Sequence, residues 1–203
     1  MGLTMIPFND EVKLLFKPID REQLKETYAL NELNSKLELL VGYKNNALIF
    51  YIDQLFIFNF NNRNYIVFGH EIGGYFILDE VTGRVYWLYL ASDKDSDVSL
   101  MFCNSTVNQF ICFNNLFFSV VDKVMFDSVQ EDKVSSDEDI FYTIEKYYKE
   151  CDPASMGETF EGQECYWPTR TYELSDGFYP LTEAHIEFYA TLINKGVNGK
   201  SGN

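Results

Sequence analysis

Apolar residues recur along the chain first at helical, then at strand, then again at helical spacing. From Asp20, a candidate N-cap, to Leu40 the apolar positions Leu24, Tyr28, Leu30, Leu33, Leu37 and Leu40 follow a loose helical spacing, which predicts one or two helices. From Ala47 to Phe60 the composition shifts to β-branched and aromatic residues, and Asp53-Gln54 divides the run into two predicted strands. Asn59 to Asn64 reads as a polar turn, followed by a short strand from Tyr65 to Phe68 that Gly69 stops. Gly74–Asp79 and Arg84–Leu90 are strand-like runs joined by Glu80-Val81-Thr82-Gly83, the clearest hairpin signal in the chain.

Asp93 to Ser99 reads as a charged loop, and Met101-Phe102 as a last short strand. Asn104 and Ser105 offer N-caps for a long helix, whose apolar residues Val107, Phe110, Ile111, Phe113, Phe117, Val120, Val121 and Val124 form one broad face. Ser136 with Asp139 resembles a capping box, opening a second helix through Ile140, Ile144 and Tyr147 that ends near Asp152-Pro153. Trp167-Pro168 and Asp176-Gly177 predict an ordered but irregular tail with a short helix from Thr182 to Ile193, and fraying from Asn194 on. No period of 20 to 50 residues repeats, which excludes a solenoid. Consecutive strands with helices grouped at either end predict an α+β fold: a single domain over residues 1–203, with a central, mainly antiparallel sheet flanked by N-terminal and C-terminal helices.

Composition adds a large core to this picture. Of the 203 residues 46% are hydrophobic and 17% aromatic, which excludes a disordered chain and removes any need for a metal or disulfide to fold. Sixteen basic residues against 31 acidic ones give a net charge of −15, a surface that repels a phosphate backbone and excludes direct nucleic-acid binding. Such acidity serves either solubility or a basic partner. Cys103, Cys112, Cys151 and Cys165 lack CxxC spacing and read as reduced thiols. The N-terminus has no basic n-region and the apolar runs are too short to span a bilayer, so a cytoplasmic protein without membrane contact is expected.

Candidate chemistry is sparse. Gly69-His-Glu-Ile-Gly73-Gly74 has glycines, but no lysine follows to hold a phosphate. His70, Glu71 and Cys103 are the residues from which a hydrolytic site could be built, although a dyad also needs an orienting group and an oxyanion hole; a loop histidine is the alternative reading. Neither His70 nor His185 has metal-ligand spacing, and Asp137-Glu138-Asp139 lacks the glycine and terminal glutamate of a calcium loop. The sequence thus predicts a protein that is not an enzyme and takes no cofactor or metal.

Charge is concentrated instead. Between Asp127 and Glu164 stand twelve acidic residues against three lysines. This stretch is read either as a solvated face or as a field that draws in a basic protein. On the second reading the partner-binding residues are Asp127, Glu131, Asp132, Asp137, Glu138, Asp139, Tyr142 and Glu145. Tyr142, Tyr147, Tyr148, Tyr166, Trp167, Tyr172 and Tyr179 lie among the acids, as interface anchors or as core.

One ordered set of short motifs carries a family resemblance: Phe68-Gly69, Leu78-Asp79-Glu80, Thr82-Gly83-Arg84-Val85, Asn104-Ser105-Thr106 before a Phe-rich helix, Asp152-Pro153 and Trp167. Over roughly Val67 to Gly177 the chain resembles the SUKH superfamily, most closely its fourth group, bacterial immunity proteins of polymorphic toxin systems. Thr106 stands where that group tends to have a serine. The resemblance implies a SUKH-like α+β fold, no enzymatic activity, and neutralisation of a cognate toxin, commonly a nuclease or nucleic-acid deaminase. Gly69, Asp79, Gly83, Asn104 and Trp167 would be fold-defining, with Gly83 serving a positive-φ turn and Asn104 a helix cap. Other SUKH proteins are regulators, so a regulatory or scaffold protein binding another protein is the alternative.

Overall fold

A computed structural model of the chain describes residues 15–19, 33, 39–40, 49–71, 73–90, 98–129, 137–185 and 187. Its centre is an antiparallel meander of six strands in sequence order: β1 (Phe16–Pro18), β2 (Phe50–Phe60), β3 (Arg63–Glu71), β4 (Gly74–Asp79), β5 (Val85–Leu90) and β6 (Val98–Asn104). Helices α1 (Val107–Val129) and α2 (Asp137–Cys151) follow, then a 3-10 turn (Pro153–Met156), a small hairpin of β7 (Thr159–Phe160) and β8 (Gln163–Glu164), and α3 (Tyr166–Ser175). The fold is α+β, as the grouping of strands and helices predicts.

Side-chain alternation sets the two faces of the sheet. Leu55, Ile66, Phe68, Phe76, Leu78, Val85 and Cys103 point to one face, where they pack with α1, α2 and α3 in the main core. Phe58, Tyr65, Val67, Ile77, Tyr86, Leu88 and Phe102 line the other, joined by Phe16 and Cys165 in a second core. Phe16 of β1 touches Tyr75 of β4, three strands away, with ring centroids 4.9 Å apart. Three strand spacings in a flat sheet span about 14 Å, so the sheet curls and carries its edge across its second face.

Turn chemistry fixes the meander. Asn61 and Asn62 both adopt positive φ (50° and 59°) in the two-residue turn between β2 and β3, a conformation asparagine tolerates. Between β4 and β5, Gly83 takes φ 72° and the buried Asp79 carboxylate accepts from the Val81 and Thr82 backbone N–H groups at 2.8 and 3.0 Å. Arg63 pairs with the second Asp79 oxygen at 3.2 Å, tying β3 to this turn.

Several sequence expectations change. Ala47 to Phe60 holds one strand from Phe50 on, not two; Asp53-Gln54 lies where the pairing register with β3 shifts, between Tyr51 and Phe56. β3 does not stop at Gly69, because a register shift between Val67 and Gly69 absorbs the glycine and the ladder continues to Glu71. The last strand of the sheet is seven residues long. Asn104 and Ser105 do not cap α1: Thr106 Oγ1 accepts from the Gln109 N–H at 3.3 Å, three residues on, as an N-cap does. The irregular tail contains the ten-residue α3, with Pro168 in its first turn, where a missing N–H costs no helical hydrogen bond.

The predicted helices of residues 20–40 lie outside the described residues, apart from Leu33, which is helical, and Leu39 and Leu40; Leu33 and Leu40 are buried in the main core. Of the predicted helix from Thr182 to Ile193, Glu183–His185 and Glu187 are helical, and other parts lie outside the described residues. Among the described residues no helix is long and apolar enough to cross a membrane.

Gly74 of β4 shows how tightly neighbouring strands pack against each other. A Cβ there would stand 2.2 Å from the Trp87 ring. Gly74→Ala is therefore expected to lower the unfolding free energy by about 2 kcal/mol, read by urea denaturation, because the indole must leave its packed position.

Candidate functional site

The longest predicted run of site residues falls on α2. Its first turn holds Asp137, Glu138 and Asp139, where carboxylates favour the helix dipole, and Lys149 stands in its last turn. Glu145 and Lys149 form an i,i+4 pair at 3.2 Å. The inner face buries Ile144 and Tyr148. Tyr148 stacks on Phe113 of α1 with centroids 3.8 Å apart and donates its hydroxyl to the Phe113 carbonyl at 2.5 Å. Tyr148, and not Tyr147, thus anchors the helix: Tyr147 is 43% exposed on the side that faces α1, and Tyr142 is 71% exposed.

The fold brings Asp137, Glu138, Asp139, Tyr142 and Glu145 together on this one helix, with Asp127 in the last turn of α1. Glu131 and Asp132 lie outside the described residues. The acidic stretch is not one continuous surface, however. Asp152 is only 2% exposed, and its carboxylate accepts from the Ser105 N–H (2.8 Å), the Ser105 hydroxyl (2.9 Å) and the Asn104 amide (3.2 Å). Glu161 sits in the β7–β8 turn, paired with Arg84 at 2.7 Å, and Arg84 lies over the Phe160 ring. Of the tyrosines and tryptophan among the acids, Tyr148, Tyr166, Trp167 and Tyr179 are core, whereas Tyr142, Tyr147 and Tyr172 are exposed.

Between α1 and α2 runs a groove that sequence reasoning did not identify. It has a volume of about 720 Å³ and is lined by Ile111, Leu116 and Val120 of α1 and Ile140, Ile144 and Tyr147 of α2, with Cys112, Asn115 and Thr143 between them. Its sequence signal is faint: Leu116 is an apolar residue outside the predicted stripe of α1.

The fold-defining residues have structural partners. Asn104 closes β6, donates to Asp152, and accepts the Trp167 indole N–H at 2.7 Å through its amide oxygen. Trp167 in turn contacts Phe110, Phe113, Phe117, Tyr148 and Tyr166. One polar relay, Asp152–Asn104–Trp167, thereby ties the end of α2 to the sheet and to α3. Asp79 and Gly83 shape the β4–β5 turn, and Gly69 lies in β3 opposite Tyr51 and Phe76.

The geometry opposes a hydrolytic site. His70 is not a loop residue but a buried member of β3, and adjacent strand residues point to opposite faces, so His70 and Glu71 do not form a dyad. Glu71 accepts from the Tyr166 hydroxyl at 2.8 Å and lies 3.8 Å from Arg170. Burial, reinforced by the Glu71 charge, pushes the Cys103 thiol well above its ordinary pKa and keeps it from the thiolate form a nucleophile needs. Among the described residues no group of three or more His, Cys, Asp or Glu could hold a metal ion.

Burial pulls the His70 pKa from 6.5 down to about 4. The unfolded chain therefore takes up a proton below pH 6.5 while the folded protein stays neutral at this residue. The resulting stabilisation is complete above pH 6.5 and is lost progressively as the pH falls from there to about 4, a change of about 3 kcal/mol. Glu71, whose pKa burial raises, acts in the opposite sense. The comparison that isolates His70 is urea denaturation of wild type and His70→Gln at pH 7, 5.5 and 4: the variant is expected to lose less stability on acidification, and parallel losses would contradict the assignment.

Comparison with known proteins follows this geometry closely. The SUKH-4 immunity protein family model matches residues 59–173, more than half of the chain. The match runs from the end of β2 into α3 and includes α2, the groove and the Asp152–Asn104–Trp167 relay. No curated protein and no solved structure matches the chain.

Proposed function

Because the chain belongs to the SUKH-4 immunity protein family, we propose that it protects a cell by binding a cognate protein toxin through the exposed surface of α2. The observation that carries this reading is the pairing, on one helix of the matched region, of exposed aromatic rings with acidic residues. Tyr142 and Tyr147 supply large contact area at low entropic cost, and Asp137, Glu138, Asp139 and Glu145 supply a negative field. Asp127, Glu131 and Asp132 extend that field along the sequence. A basic toxin fits such a face, and toxins that act on nucleic acids, nucleases or nucleic-acid deaminases, carry basic surfaces for their polyanionic substrates. Binding there would block substrate access without any chemistry from this chain, in the cytoplasm where such substrates reside.

The test is co-expression with the product of each adjacent gene, scored by growth and by recovery of a complex. Rescue from growth arrest together with a co-purifying partner is the expected result. Full toxicity in the presence of this chain, for every neighbouring product that arrests growth, would overturn the reading.

A further inference from the structure

All four cysteines are free thiols, and two of them converge where α1 meets the end of α2. Cys112 stands exposed on α1, and Cys151 is the half-buried last residue of α2. The helices run antiparallel here. Gln109 Nε2 donates to the Cys151 carbonyl at 3.0 Å, and one turn further along α1 Phe113 stacks on Tyr148 at 3.8 Å. Along the axis Cys112 lies about 1.5 Å from the level of Phe113, and Cys151 about 4.5 Å from the level of Tyr148, both toward Gln109. The two cysteines are thus offset by only about 3 Å along the helices, within the roughly 4.4–6.8 Å between Cα atoms that a disulfide spans. They also share a side, since Cys112 lines the groove with Tyr147 and Cys151 lies one turn beyond Tyr147. The electrostatics agree with this proximity. Burial raises the Cys151 pKa and a charge on Cys112 raises it further, and a charge on Cys112 likewise raises the Tyr147 phenol.

We infer that Cys112 and Cys151 are a reversible redox pair, whose disulfide clasps the C-terminal end of α2 to α1. The bond forms by two exchanges with a small-molecule disulfide. The exposed Cys112, as thiolate, attacks one sulfur of that disulfide, so that a mixed disulfide forms on Cys112 and a first small thiol leaves. The Cys151 thiolate then attacks the Cys112 sulfur, closes the clasp and expels the second thiol. Both cysteine protons end on the departing thiols, two electrons pass from the cysteines to the small disulfide, and excess thiol reverses both steps. Cys103 and Cys165 are buried and take no part. Because Cys151 directly precedes Asp152, the clasp and the polar relay hold the same end of α2. The chemistry goes beyond the immunity reading and does not depend on it.

The experiment equilibrates the full-length, reduced chain with glutathione buffers of increasing oxidised fraction. Samples are quenched in acid, unfolded, alkylated with N-ethylmaleimide and weighed as intact protein. Wild type is expected to fall from four alkylatable thiols to two, with no added glutathione and as a monomer on a non-reducing gel. Cys112→Ser and Cys151→Ser are each expected to form no internal disulfide, and Cys151→Ser to hold glutathione on Cys112 instead. Four alkylatable thiols in wild type at the most oxidised ratio, a stable glutathione adduct, a disulfide-linked dimer, or an internal disulfide that survives either substitution would overturn the pair. Oxidised wild type is also expected to unfold at a urea concentration about 1 M above the reduced form, a shift that both serine variants lack. An unchanged or lower midpoint would overturn the clasp, because a bond between native neighbours raises it.

Discussion

Trp167→Ala is expected to lower the unfolding free energy by about 4 kcal/mol, the cost of removing a fully buried indole from a packed core. The magnitude follows from its position. Trp167 is 2% exposed and contacts aromatic rings from α1, α2 and its own helix α3. Its removal leaves a cavity where three helices meet, and also strands the Asn104 amide oxygen that accepts its N–H. Trp167→Phe separates the two contributions: it keeps most of the apolar contact and is expected to cost only about 1–2 kcal/mol. Urea denaturation followed by circular dichroism gives both values. A loss below about 1.5 kcal/mol for the alanine variant would show that the three helices do not depend on this side chain.

Asp152→Ala is the second large effect, about 3 kcal/mol, and its origin is polar. The carboxylate gathers three donors, the Ser105 N–H, the Ser105 hydroxyl and the Asn104 amide, at the junction where β6 passes into α1. Alanine leaves these donors without their acceptor in a site that is almost wholly enclosed. Asp152→Asn is expected to recover only part of the loss, since its amide NH₂ faces donors where the second carboxylate oxygen stood. Asp152 and Trp167 both act through Asn104. The double variant is therefore expected to lose less than the sum of the single losses, with a coupling of about 1 kcal/mol, whereas strict additivity would break the proposed relay. Since Asp152 directly follows α2, a loosened relay also frees the C-terminal end of the helix proposed to meet the toxin.

The sheet was legible where local chemistry and long-range pairing agree. Alternation in Gly74–Asp79 and Arg84–Leu90, with a glycine at the positive-φ position between them, leaves few alternatives to a hairpin. The α1 stripe was equally clear, because its aromatic and β-branched residues are the ones the core buries. The failures have identifiable causes. Asp53-Gln54 reads as a break, yet a register shift lets one strand run through it. Trp167-Pro168 reads as a loop signal, although proline within the first helical turn forfeits no intrahelical bond.

The candidate surface divides in the same way. Acids and tyrosines on one helix could be counted from the sequence, but which tyrosine turns inward depends on the stacking of Tyr148 against Phe113, a contact between residues 35 apart. Asp152 was counted with the surface acids because nothing beside it in sequence marks it as buried; its donors lie 47 and 48 residues away. The groove is a property of two packed helices, and its one local sign is Leu116, an apolar residue outside the predicted stripe of α1.

The most direct measurement of the central claim is the association rate of the toxin with wild type and with Asp137→Lys/Glu138→Lys/Asp139→Lys, taken over a series of salt concentrations. A neutral Asp137→Asn/Glu138→Gln/Asp139→Asn variant and thermal melts control for the loss of favourable charge at the helix start. The expected result is association slowed about tenfold at low salt in the lysine variant, less in the neutral one, with a flattened salt dependence. Unchanged rates and an unchanged salt slope in correctly folded variants would contradict the account and place the toxin on another face.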